Sequence, residues 1–192
     1  SRVLMGTLAF FPATQAPYHT EEVPYFFLCG IVCAMVGVYI IRMAYRAGAL
    51  LKKKFRQPLL RLAVGGIMLS TLLFCVPVLR GQGYSMIASL FQIGNGELNF
   101  ADGKSWQFWP ENPWLILLLL AAVVLLKVIA TVLTVESGGD GGIFAPALFM
   151  GAVTGFTFAH AVNMTGLIQL QVVNFIAVGM CGVFSAVMRA PL

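Results

Sequence analysis

Residues 136 to 142 read Glu-Ser-Gly-Gly-Asp-Gly-Gly and run directly into Ile143-Phe144-Ala145-Pro146, the start of an apolar stretch. The types and spacing suit one kind of chemistry, the holding of a small anion. Pro146 falls in the first turn of the helix that follows, where a missing N–H is harmless. The first N–H groups of a helix have no internal acceptor, and together with the positive end of the macrodipole they form a ready anion site. Glycine has no side chain, so an ion can approach the backbone closely. No lysine or arginine adjoins the run. A full charge would hold an anion too tightly to release it, whereas partial charges need not. The candidate anion-binding residues are therefore Gly142, Ile143, Phe144 and Ala145, with Gly138, Gly139, Gly141 and Pro146 shaping the helix start. A plain turn at the membrane surface is the alternative reading of the same glycines.

Other residue types that could do chemistry are less informative. Cys29, Cys33, Cys75 and Cys181 all lie in apolar segments, without a C-x-x-C pair or a histidine cluster to complete a metal site. They read as small buried hydrophobes. His19 and His160 have no serine, cysteine or acid partner fixed by a motif, so an intramembrane hydrolase is disfavoured. Gly103-Lys104-Ser105 resembles the end of a phosphate-binding loop, but Leu98 stands where that loop needs a glycine. No cofactor or metal is expected. Asn163-Met164-Thr165 matches a glycosylation sequon, read here as chance because it hugs the membrane.

The elements that must position the glycine run are membrane helices. The 192 residues are 59% hydrophobic and only 10% charged, with mean hydropathy +0.89, where a soluble domain carries about 25% charged residues. About 20 apolar residues cross the hydrocarbon core, and five stretches meet that length: 24–44, 59–79, 114–135, 143–162 and 167–188. Of twelve basic residues, seven lie between Arg42 and Arg61 with no acid among them. Under the positive-inside rule this loop is cytoplasmic, and nucleic-acid binding is disfavoured because no aromatic-basic platform accompanies it. The first span then runs inward and the second outward. Residues 80 to 113 lie outside with an aromatic belt, and Tyr84 to Ile93 could form a short helix at the surface. The small-residue spacings Gly151-x-x-x-Gly155, Gly65-Gly66 and Gly179-x-x-Gly182 favour close helix crossings. Irregular glycine-rich backbone between spans is tolerated only where protein buries it or a polar cavity meets it.

On these residues the sequence resembles a known family. Gly142-Ile143-Phe144-Ala145-Pro146 is similar to the G-x-F-x-P signature of the CLC chloride channels and chloride/proton antiporters. The similarity extends through Ser137-Gly138-Gly139 and Ala147-Leu148-Phe149 to Gly151-Ala152. It recurs at Ser185 to Leu192, whose Arg189-Ala190-Pro191-Leu192 resembles the family's R-A-P-L helix start. Residues 1–12, opening Ser1-Arg2-Val3-Leu4-Met5-Gly6, are similar to the helix that closes the family's first half. The resemblance implies an all-α, multi-pass integral membrane protein of tilted and broken helices with inverted-repeat architecture. This chain would be most of the second half, ending at the start of a further helix at 189–192.

The resemblance also implies transmembrane chloride transport, as a voltage-gated-type channel or as a chloride/proton antiporter. It implies no enzymatic activity, a homodimer in the lipid bilayer, and a bacterial inner-membrane location. Chloride or a similar small anion, with a proton as candidate second substrate, would be the ligand, held by the amides of Ile143 and Phe144. The family's gating glutamate, proton-transfer glutamate, central serine and tyrosine fall outside this sequence. Two positions depart from the pattern: Glu136 stands where glycine is common, and Asp140 where a small residue is. Asp140 could cap the helix or join a salt bridge, and a proton-carrying role for either acid is the remote reading. Lys127 either snorkels or pairs, or draws anions toward the inner vestibule. The alternative function is a membrane-embedded structural or partner subunit without its own ion pathway.

Overall fold

The computed structural model describes residues 20–55, 57–76, 79, 83–94, 113–139, 142–166 and 168–188. Every regular element among them is helical: a 3-10 turn at Thr20–Glu22, then α1 (Val23–Lys54), α2 (Pro58–Cys75), α3 (Tyr84–Gly94), α4 (Pro113–Glu136), α5 (Phe144–Met164) and α6 (Val172–Met188). The expected first-half tail, Gly141, Asp140, His19, the aromatic belt before Pro113 and the helix start at 189–192 lie outside the described residues.

Helix boundaries differ from the apolar stretches for physical reasons. Stretch 24–44 is only the apolar part of α1, which continues ten residues through Ala47, Leu50 and the lysines to Lys54. Lysine, leucine and alanine are good helix formers, and no proline intervenes. The second helix stops at Cys75, short of residue 79, because Val76 precedes Pro77 and is pushed out of the helical region, to φ −127° and ψ 84°. Among the described residues three helical stretches are long and apolar enough to cross a membrane, Thr20–Leu50, Trp114–Glu136 and Phe144–Met164. Leu59–Cys75 and Val172–Met188 are apolar but shorter.

The centre of the bundle is the antiparallel pair α5 and α6, flanked by α1 and α4. Small residues let these backbones meet. A Cβ on Gly155 would strike the Phe175 carbonyl, and one on Gly151 would strike Gly179 and Met180 backbone. The other face of α6 meets α1, where Gly37 lies against Ala186 and Cys33 against Gly182. Gly65 instead packs on Ser137, and Gly66 faces open space. The α5–α6 turn is latched by Asn163, whose Nδ2 donates to the Leu170 carbonyl at 3.0 Å while its Oδ1 accepts from the Leu170 N–H at 2.7 Å. The sequon asparagine thus serves as a backbone mimic. Glu22, only 1% exposed, accepts the Gln171 N–H at 3.2 Å and caps the start of α6 from the start of α1.

Two expectations need correction. Helix α3 is not a surface helix: Met86, Ile87, Leu90 and Phe91 are buried and it packs on α5 and α6. Eleven residues reach only about 16 Å, so its apolar residues are satisfied by lodging inside the bundle. The cysteines divide. Cys29 and Cys33 are buried, but Cys75 and Cys181 are exposed on the helix exteriors. Among the described residues no group of three potential metal ligands forms.

Candidate anion site

The glycine run has two jobs in the structure. Helix α4 ends in a 6→1 bond from the Gly139 N–H to the Thr134 carbonyl (3.0 Å) and a 5→2 bond from the Gly138 N–H to the Val135 carbonyl (3.2 Å). Gly138 sits at φ +94°. This is the Schellman closure, in which the left-handed residue is strongly preferred to be glycine. A Cβ on Gly139 would lie 2.9 Å from the Thr134 carbonyl oxygen. These two glycines terminate α4 and turn the chain toward α5.

Helix α5 then begins without a side-chain cap. Ile143 is its N-cap residue, at φ −76° and ψ −15°, and its carbonyl accepts the first intrahelical bond, from the Ala147 N–H at 3.0 Å. The N–H groups of Phe144 and Ala145 precede that first bond, so they have no helical acceptor. Pro146 is the third residue of the helix and carries no N–H. The Phe144 ring is held edge-on against Phe184 of α6, with centroids 4.9 Å apart. That contact ties the side chain to α6.

This helix start opens onto a cavity of ≈ 500 Å³ whose wall includes Gly142, Phe144, Ala145 and Pro146 of the predicted set. Ile143 is exposed and is not on that wall, but its N–H lies in the chain between Gly142 and Phe144, which are. Gly138 and Gly139 stand back from the cavity as the α4 terminator. The opposite wall is mostly apolar, from Leu69 and Leu73 of α2 and Ala130 and Val135 of α4, with Tyr84, Thr131, Thr134 and Lys127 as polar members. Thr131 and Thr134 donate their hydroxyl protons to the Lys127 and Ala130 carbonyls, each at 2.8 Å.

Lys127 is only 4% exposed. Its Nζ donates to the Leu79 carbonyl at 2.9 Å and lies 5.3 Å from the Phe149 ring centroid, a distance at which the ring face attracts a cation. It therefore does not snorkel to an interface: a backbone carbonyl and an aromatic face hold it within the protein, on the same cavity as the α5 start. Glu136, the departure from the family pattern, turns the other way. A Cβ on Gly48 of α1 would collide with its carboxylate, and Glu136 is not on the cavity wall. The acid thus sits between α4 and α1 and leaves the cavity without a repelling charge from this residue.

Tyr84 and Leu79, which share the cavity with the helix start, carry no motif in the sequence that places them there. Tyr84 carried a signal only as the first residue of an apolar helix. A backbone acceptor 48 residues from its lysine has no side-chain signature at all.

Comparison with known proteins gives a single picture. The family model described as voltage gated chloride channel matches residues 1–192. A ClcB-like chloride channel protein of Ralstonia nicotianae is 33% identical over 166 residues, covering 85% of this chain and 34% of the relative. The H(+)/Cl(-) exchange transporter ClcA of Vibrio campbellii is 27% identical over 188 residues, 93% of this chain and 36% of its own length. That of Vibrio cholerae is 28% identical over 172 residues, 87% of this chain and 32% of its own. The chain spans about a third of the length of these relatives.

Proposed function

Because this chain belongs to the voltage-gated chloride channel family, we propose that it forms part of a transmembrane chloride pathway in which the N-terminus of α5 holds the anion. The observation that carries this reading is the uncapped start of α5 opening onto a cavity that also presents Lys127. The N–H groups at Ile143, Phe144 and Ala145 supply partial positive charge, and Lys127 stands on the same cavity with its Nζ engaged by the Leu79 carbonyl. The Phe149 ring lies beneath the same Nζ. Such an arrangement attracts a desolvated chloride and still releases it, which conduction requires.

Relatives named as a chloride channel and as H(+)/Cl(-) exchangers support the substrates, the family resemblance supports the homodimer and the location, and the basic run supports the orientation. The full-length protein is a multi-pass bacterial inner-membrane protein that acts as a homodimer, with the loop between α1 and α2 in the cytoplasm. Chloride is its substrate and the proton a candidate counter-substrate. The test is simultaneous recording of chloride efflux and external pH from liposomes holding the full-length protein under a chloride gradient. Chloride flux with opposed proton movement establishes an exchanger, and chloride flux alone a channel. No flux of chloride overturns the transport reading and leaves a structural subunit in its place.

A further inference from the structure

Helix α1 carries a feature that the anion pathway does not use. A shallow apolar groove of ≈ 570 Å³, walled by α1 side chains alone, runs along its outer face past Ile31, Met35, Val38 and Tyr39 and ends at Arg42 and Arg46. Both arginines are exposed, lie one helical turn apart and therefore share a face. No acid lines the groove, and none occurs in the sequence between Arg42 and Arg61.

The length of the helix sets the depth of this feature. From Val23 to Arg42 is about 28 Å along a helix, close to the hydrocarbon thickness of about 30 Å. The apolar part of α1 thus fills the hydrocarbon, and the first arginine emerges at the level of lipid phosphates. The groove from Ile31 to Arg42 is about 17 Å long, close to one leaflet of acyl chain. Guanidinium groups pair with phosphate through a planar fork of donors. We propose that this groove is a binding site for an anionic phospholipid of the cytoplasmic leaflet, its phosphate on Arg42 and Arg46 and an acyl chain along Ile31 to Tyr39. The proposal rests on the membrane placement and orientation given above and not on the anion site.

The test uses the full-length protein in detergent, titrated with dioleoylphosphatidylglycerol or dioleoylphosphatidylcholine and read by native mass spectrometry. At about 1 kcal/mol per basic residue near anionic lipid, two arginines give a preference for the glycerol lipid on the order of 30-fold. The double variant Arg42→Gln, Arg46→Gln reduces that preference to near parity, with its thermal unfolding unchanged because both side chains are exposed. Equal retention of the two lipids by the wild type overturns the proposal, as does a double variant that keeps the preference. A photoreactive side chain at Met35 labels lipid. Labelling of protein there would show that another segment or subunit occupies the groove. In sealed vesicles, with Cys75→Ser and Cys181→Ser to remove the exposed native thiols, Lys54→Cys modified by an impermeant thiol reagent only from the cytoplasmic side verifies the leaflet; modification from outside overturns it. Chloride binding by the same samples reads the anion site independently.

Discussion

Replacing Ile143 by proline removes one N–H from the start of α5 and changes little else. Ile143 sits at φ −76°, within the range that the proline ring imposes. The residue before it is Gly142, the type least restricted by a following proline. Its carbonyl, which opens the helix by accepting the Ala147 N–H, is kept. A hydrogen bond to a charged group contributes about 1.5–3 kcal/mol, so chloride affinity in the full-length protein falls roughly 10- to 100-fold. Isothermal titration of chloride reads this directly. The companion Phe144→Leu keeps its N–H and loses only the contact with Phe184, so its chloride affinity stays close to wild type. Phe144→Pro is a poorer probe, because it sets a proline after Ile143 at ψ −15°, a conformation that proline disfavours in its predecessor. Chloride affinity within twofold of wild type in Ile143→Pro would refute the backbone-amide site.

Other expectations follow from the same geometry. Lys127→Met lowers chloride flux in liposomes several-fold at low chloride and little at saturating chloride, while Lys127→Arg retains most of it; equal flux in all three would remove Lys127 from the pathway. Glu136→Gln shifts chloride affinity less than twofold, because the carboxylate faces Gly48 and not the cavity; a tenfold change by calorimetry would contradict that placement. Gly155→Ala drives a methyl group onto the Phe175 carbonyl and costs about 1–3 kcal/mol. It therefore lowers the thermal midpoint in detergent, whereas Gly66→Ala, facing open space, leaves it unchanged.

The turn and the helix start at the candidate site were legible in the sequence wherever a residue type had one structural use. The Ser137-Gly138-Gly139 run followed by Ile143-Phe144-Ala145-Pro146 told of a chain reversal and a helix start, and the structure supplies both. Gly151, Gly155 and Gly179 told of a close crossing because a Cβ at any of them would strike the facing helix's backbone, the Phe175 carbonyl at Gly155 and the Gly179 and Gly151 carbonyls at the other two. What could not be read depends on contacts without a local pattern. Helix α3 has the composition of an interfacial helix, and only its place against α5 and α6 shows that it is buried. Lys127 looks the same in sequence whether it snorkels or donates to the Leu79 carbonyl. Glu22 carries no local pattern that would place it on Gln171, 149 residues away, where it caps α6. The apolar pattern of α1 ended at Ala44, but helix propensity carried the backbone on to Lys54.

The most direct measurement is anomalous diffraction from crystals of the full-length protein grown in bromide. A bromide peak within hydrogen-bonding distance of the amide nitrogens at Ile143 and Phe144, on the cavity that Lys127 lines, is the predicted result. Bromide sites confined to other parts of the protein, with none at the start of α5, would contradict it.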